Sequence, residues 1–189
     1  MKTAALTTAI AAALAAPALA QPHHMNEMML DWHLASNRIH VHAHGEPMPW
    51  HVPPSVFAGV NGWAAADIGF TSAETAHPHL GTDVFPPSVD IRAILVSSSP
   101  GIHVFGAGGP LPVGGEIVLG SPVIHHMPVW NITSTTPGEI KTMTWRFRDA
   151  SGFLADSAPF TISLTAVPAP SAALMLTAGL AGLATRRRR

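Results

Sequence analysis

The feature that most constrains the fold is a strict two-residue alternation near the C-terminal end of the chain. In residues 141–148, Met143, Trp145 and Phe147 share one face of an extended strand, and Thr142, Thr144, Arg146 and Arg148 the other. In residues 160–165, Phe160, Ile162 and Leu164 face in while Thr161, Ser163 and Thr165 face out. Pro137-Gly138 and Ala150-Ser151-Gly152 supply the turns around them. Further strands read at residues 89–96, 101–105, 116–119, 123–127 and 129–133, with at most short strands between 55 and 70. No stretch between residues 21 and 166 holds a helical apolar spacing over two full turns. Short strands broken by many of the 16 glycines and 18 prolines predict an all-β domain. The expectation is a single β-sandwich, immunoglobulin-like or jelly-roll-like.

Two segments resist strand assignment. Residues 46–54 hold four prolines and cannot form a central strand, so they read as an extended connector. Residues 71–87 form a long polar loop carrying His77-Pro78-His79 and Asp83. Loops of that length in a small domain are usually functional or mobile, and Pro78 stiffens the backbone between the two histidines.

The chemistry concentrates in residues 30–45, which alternate on both sides of Ser36-Asn37 in the manner of a hairpin. Leu30, Trp32 and Leu34 point one way, as do Ile39, Val41 and Ala43. Asp31, His33, His40, His42 and His44 occupy the other face. A turn centred on Ser36-Asn37 sets His33 opposite His40 and Asp31 opposite His42, and such neighbours have Cβ atoms roughly 4.5–5.5 Å apart. Residues 21–27 before the hairpin read as a loose polar lead-in, with His23-His24 solvated.

The chain has no cysteine, so disulfides and thiolate metal sites are excluded. All 12 histidines lie in the central region, and any metal centre must be built from imidazole and carboxylate. Two alternating imidazoles converge readily on one ion at Zn–N of about 2.0–2.1 Å, and a neighbouring strand supplies the rest. The candidate ligands are His33, His40, His42, His44 and Asp31, with His125 from the His125-His126 pair. His44, at the strand's end beside Gly45, is the weakest member of the hairpin set. Zn²⁺ is the expected ion, with Cu²⁺ or Ni²⁺ as alternatives; Met127 would be a soft neighbour for copper but reads first as a core methionine. His103, alone on an apolar strand, reads as a surface or core residue. No Gly-x-Ser-x-Gly elbow and no His-Glu-x-x-His helix is present. A metal-dependent enzyme would have Glu46 or Asp31 as base, but nothing selects a substrate, and the chain reads as non-enzymatic.

Both ends carry addressing patterns. Met1-Lys2, an apolar run over residues 4–16 and Ala18-Leu19-Ala20 form a secretory signal peptide, cleaved after Ala20. At the other end Pro168-Ala169-Pro170 precedes about 15 small or apolar residues and the cluster Arg186 to Arg189. That run is short for a stable span of about 20 residues, and the arginines favour the cytoplasmic side. Proline pair, short apolar segment and arginines together resemble the PEP-CTERM sorting signal over residues 167–189, with Ala169 where glutamate is usual. The resemblance implies an exosortase as processing partner, transient contact with the inner membrane, and release to the periplasm, cell surface or extracellular matrix. The domain is then residues 21–166, with five basic residues (Arg38, Arg92, Lys141, Arg146, Arg148) against all 11 acidic ones, a formal charge of −6. Such a surface excludes nucleic acid as a partner.

The layout of Asp31 to His44, Gly69-Phe70-Thr71-Ser72 and Ile124-His125-His126-Met127-Pro128-Val129-Trp130 also resembles exported PEP-CTERM proteins repressed by the zinc-uptake regulator. Met127 stands where that pattern has a second histidine. The resemblance implies zinc handling at the cell surface. The competing expectation is a structural protein of the extracellular polysaccharide matrix whose histidines are incidental and do not converge.

Overall fold

A computed structural model describes residues 26–57, 60–106, 108–120, 122–133 and 136–167. The expected signal peptide (1–20), His23-His24 and the tail beyond residue 167 lie outside them. Among the described residues no helix is long and apolar enough to cross a membrane. The strands in chain order are β1 (Asn26–His33), β2 (Arg38–His44), β3 (Trp50–Val52), β4 (Pro54–Phe57) and β5 (Val60–Ala65). Next come β6 (Ile68–Ser72), β7 (Thr82–Asp83), β8 (Ile91–Ser98), β9 (Ile102–Gly106) and β10 (Gly109–Pro110). The rest are β11 (Glu116–Gly120), β12 (His125–His126), β13 (Val129–Ile132), β14 (Ile140–Asp149) and β15 (Phe160–Ala166). The all-β class expected from the alternation is borne out.

The strands form three sheets, in the orders β12-β6-β1-β2 with β7 also on β1, β10-β9-β13-β5-β4, and β11-β8-β14-β15-β3. The proline-rich connector contributes only β3 and β4, and both are edge strands, where a missing N–H costs no ladder bond. The closing strands follow the alternation: Met143, Trp145 and Phe147 are buried on β14, and Ile162 and Leu164 on β15. The three sheets meet at one aromatic contact. Phe70 of the first lies edge-on to Trp145 and Phe147 of the third at 5.2 and 5.7 Å, and 6.1 Å from Trp130 of the second. Each of these four side chains is fully buried, and such pairs contribute about 0.5–1.5 kcal/mol beyond area burial.

Asp149 closes β14. Its carboxylate accepts from the backbone N–H groups of Asp90, Ser151, Phe153 and Leu154 and from the Ser151 hydroxyl. Burial pushes this carboxyl up, but those donors outweigh it and hold it below its ordinary value near 3.8. Asp149→Ala orphans these donors and is expected to cost on the order of 3 kcal/mol in urea denaturation at pH 7. Because the folded-state value is depressed, the contribution is complete above pH 3.8 and is lost as pH falls through the lowered value.

Candidate metal centre

The first sheet positions the histidines. β1 is flanked on both edges, antiparallel to β2 and β7 and parallel to β6. Its inward residues Met28 and Leu30 are fully buried against the core, with Ile39 from β2. The opposite face carries Glu27, Met29, Asp31 and His33 from β1 and His40, His42 and His44 from β2, as the alternation expects.

The register differs from the sequence reading. Asp31 faces His40, His33 faces Arg38, Met29 faces His42 and Glu27 faces His44. The cause is the connection: Leu34–Ser36 form a 3-10 turn closed by Asn37 at φ 47°, so the centre moves one residue toward the N-terminus. Leu34 leaves the strand and is 46% exposed. A shift of two in the pairing preserves side-chain parity, so the histidine face survives while the partners change. The start of the strand is also corrected, because Asn26 and Glu27 belong to β1 and not to a loose lead-in.

Asp31, His40 and His42 come together, with one ligand atom from each within 4.8 Å of the others. The Asp31 carboxylate is 3% exposed and reaches His40 Nδ1 through one oxygen at 3.1 Å and His42 Nδ1 through the other at 3.9 Å. Two ligand atoms on one tetrahedral ion, each about 2.1 Å away, lie roughly 3.4 Å apart. The observed separations bracket that value. His42 Nδ1 is buried without a hydrogen-bond partner, and such an atom costs about 1–3 kcal/mol unless something engages it. Burial lowers the His42 pKa from its ordinary 6.5, against the pull of Asp31; His40, His44 and His77 add to the lowering. The neutral, ligating form is therefore the favoured one.

Three of the expected ligands stand apart from this group. His33 shares a hydrogen bond between its Nδ1 and Ser36 Oγ at 2.9 Å. His44 Nδ1 lies 3.9 Å from Glu27 Oε2, which also accepts from Thr71 Oγ1 at 3.1 Å. His125 lies on the same face opposite Thr71, with Thr71 in turn opposite Met29 and Met29 opposite His42. Three strand spacings of about 4.8 Å therefore separate His125 from His42. His126 points the other way, its ring 6.4 Å from Phe70. His51 and His103 are exposed on β3 and β9, away from this sheet.

Two members of the face escaped the sequence reading. Glu27 and Met29 were hidden because Met28-Met29-Leu30 interrupts the apolar–polar alternation, although the strand itself starts at Asn26. Met127 covers Gly69, filling the space a Cβ there would need. A cleft of about 530 Å³ runs along this face between Glu27, Met29, Thr71, His77 and His125. No protein-family model, no curated protein and no solved structure matches the chain.

Proposed function

We propose that the protein binds a divalent metal ion, zinc in our reading, through Asp31, His40 and His42. The observation that carries this is a buried carboxylate between two imidazole Nδ1 atoms, one of them buried and unpartnered. A carboxylate held at 3% exposure needs a cation or a full set of donors. The described structure gives it two histidines.

Zinc suits two nitrogens and one oxygen because it imposes no strong geometry of its own. Copper binds a given nitrogen–oxygen set more tightly, so availability decides the resident ion. Elemental analysis of protein exported from its native host tests this: zinc in near-stoichiometric amount is expected, and metal-free protein overturns the reading.

We read the role as non-catalytic capture or buffering of the ion outside the inner membrane. Support for export comes from the signal pattern of residues 1–20 and the PEP-CTERM-like pattern of residues 167–189, with an exosortase as processing partner. Mass spectrometry of the exported protein is expected to find Gln21 at its N-terminus. The matrix-protein alternative shares these ends and differs in predicting no metal. For architecture we read one sandwich-type domain, supported by a single core that draws side chains from all three sheets.

Acid should release the ion. Each imidazole must be neutral to ligate, so affinity is expected to fall at least about tenfold between pH 7 and pH 5 in calorimetric titrations. The metal-free fold responds with the same sign. His42 and His126 have pKa values lowered mainly by burial, so their protonation opposes folding and stability declines as pH drops below 6.5.

A further inference from the structure

Four of the five basic residues between 21 and 166 are paired with carboxylates: Arg92 with Asp90 and Glu116, Lys141 with Glu139, Arg146 with Asp156, and Arg148 with Glu116. Arg38 has no carboxylate partner among the described residues, in a domain that carries an excess of acidic groups. It stands exposed at the start of β2 and lines a cleft of about 480 Å³ with His33, Ser36, Val41 and the segment 157–160. That cleft follows an open sheet edge. β2 is the last strand of its sheet, and its outer side is met at Arg38 by a bridge to Ala155. There Ile39 N–H donates to the Ala155 carbonyl at 3.2 Å, and Ala155 N–H donates to the Asn37 carbonyl at 2.9 Å. Those bonds fix the outward phase of the backbone: Asn37 and Ile39 turn their polar groups away from β1, and by alternation so do Val41 and Ala43. Beyond the bridge the covering chain departs. Ser157 N–H donates to the Phe147 carbonyl at 2.8 Å, and Pro159 has no N–H to offer. The outward N–H and C=O groups of Val41 and Ala43 meet no partner among the described residues. Such a row of donors and acceptors is a template for one more strand.

We propose that this cleft binds the C-terminal end of an extended peptide, which adds as a strand beside Val41 and Ala43 with its carboxylate on Arg38. The direction follows from the closed end. Ala155 blocks the edge at Arg38, so an added strand must begin or stop there. A positive charge at that point selects the end that carries the carboxylate, and a chain ending there runs antiparallel to β2. The guanidinium meets a carboxylate through two parallel N–H···O bonds, while the backbone ladder supplies affinity that does not depend on sequence. His33 and Ser36, joined at 2.9 Å, flank the same end, and Pro159 and Phe160 give the peptide an apolar wall. The proposal does not rest on the metal reading, although His40 borders both places.

The test uses the full exported protein, freed of metal by chelation, and the peptide acetyl-Thr-Val-Thr-Val with a free carboxylate as probe. Calorimetry is expected to show saturable binding, and the Val41 and Ala43 amides should exchange more slowly with the probe bound. The same peptide capped as a carboxamide should bind about 10- to 100-fold more weakly, the range for a lost hydrogen bond to a charged group. Arg38→Gln should bind both forms equally weakly. Arg148→Gln, with the same change in charge on another sheet, should bind the probe as the parent does. Val41→Pro should also lose the probe, and it removes no ladder bond because the Val41 N–H faces outward. Acetate serves as the small-anion control. Acetate binding as tight as the peptide's, or carboxamide binding equal to the carboxylate's, overturns the proposal. So does parental affinity in Arg38→Gln, or the absence of saturable binding by the parent.

Discussion

Replacing Asp31 with alanine is expected to abolish specific metal binding, weakening Zn²⁺ affinity by more than about 100-fold in calorimetric titration. Loss of an outer-shell partner alone costs about 10- to 100-fold, and Asp31 is the only carboxylate within reach of both His40 and His42 among the described residues. The double variant His40→Ala/His42→Ala should match it. His44→Ala and His125→Ala should retain parental affinity, since neither residue reaches the group. A second readout separates binding from folding. Zn²⁺ at 100 times its dissociation constant stabilises the parent by about 2.7 kcal/mol, and that increment should vanish in Asp31→Asn. The metal-free Asp31→Asn protein should fold as well as the parent at pH 8, where a neutral amide of the same shape replaces a buried charge. Parental zinc affinity in Asp31→Ala sinks the metal reading.

The histidine face was legible in the sequence because alternation is a local property. Parity alone assigns Asp31, His33, His40, His42 and His44 to one side, and a register error of two leaves that intact. Which residues meet was not legible. It depends on whether Leu34 ends a strand or begins a 3-10 turn, and Leu34 satisfies the apolar alternation either way. The true register moves the buried carboxylate from His42 to a direct pairing with His40 and leaves His42 diagonal to it. The displacement of His125 and the half-burial of His77 lie further from reach, because both depend on non-local pairings. His125 is carried by a strand that pairs with β6, which runs parallel to β1 from more than 35 residues downstream. His77 joins the edge of the sheet through its bridge to Thr82, which pairs with His33. Composition and spacing name the histidines of the loop, while only the tertiary pairing shows that one of the two faces inward.

The same limit governs the core, where the alternation marks Trp145 as buried but not what it packs against. Trp145→Ala is expected to destabilise the domain by about 3–5 kcal/mol in urea or thermal denaturation, the usual range for an aromatic cavity. Trp145 is fully buried where the sheets meet, 5.2 Å from Phe70 and 5.8 Å from Trp130 between ring centroids. A subtler pair of variants tests the polar side of this contact. The indole N–H of Trp145 is buried without an acceptor, whereas that of Trp130 donates to the Ile68 carbonyl at 2.7 Å. Trp145→Phe therefore removes volume and an unsatisfied donor together, and the second loss offsets part of the first. Trp130→Phe removes a similar volume and a made hydrogen bond, so it should cost about 1–3 kcal/mol more. Equal losses in the two variants would show that the Trp130 bond to Ile68 contributes nothing net. Because Ile68 begins β6, and β6 carries Thr71 beside Glu27, a weakened Trp130 bond should also loosen the metal face from behind. Zinc affinity in Trp130→Phe is accordingly expected to fall modestly, by less than about tenfold, while Trp145→Phe leaves it unchanged.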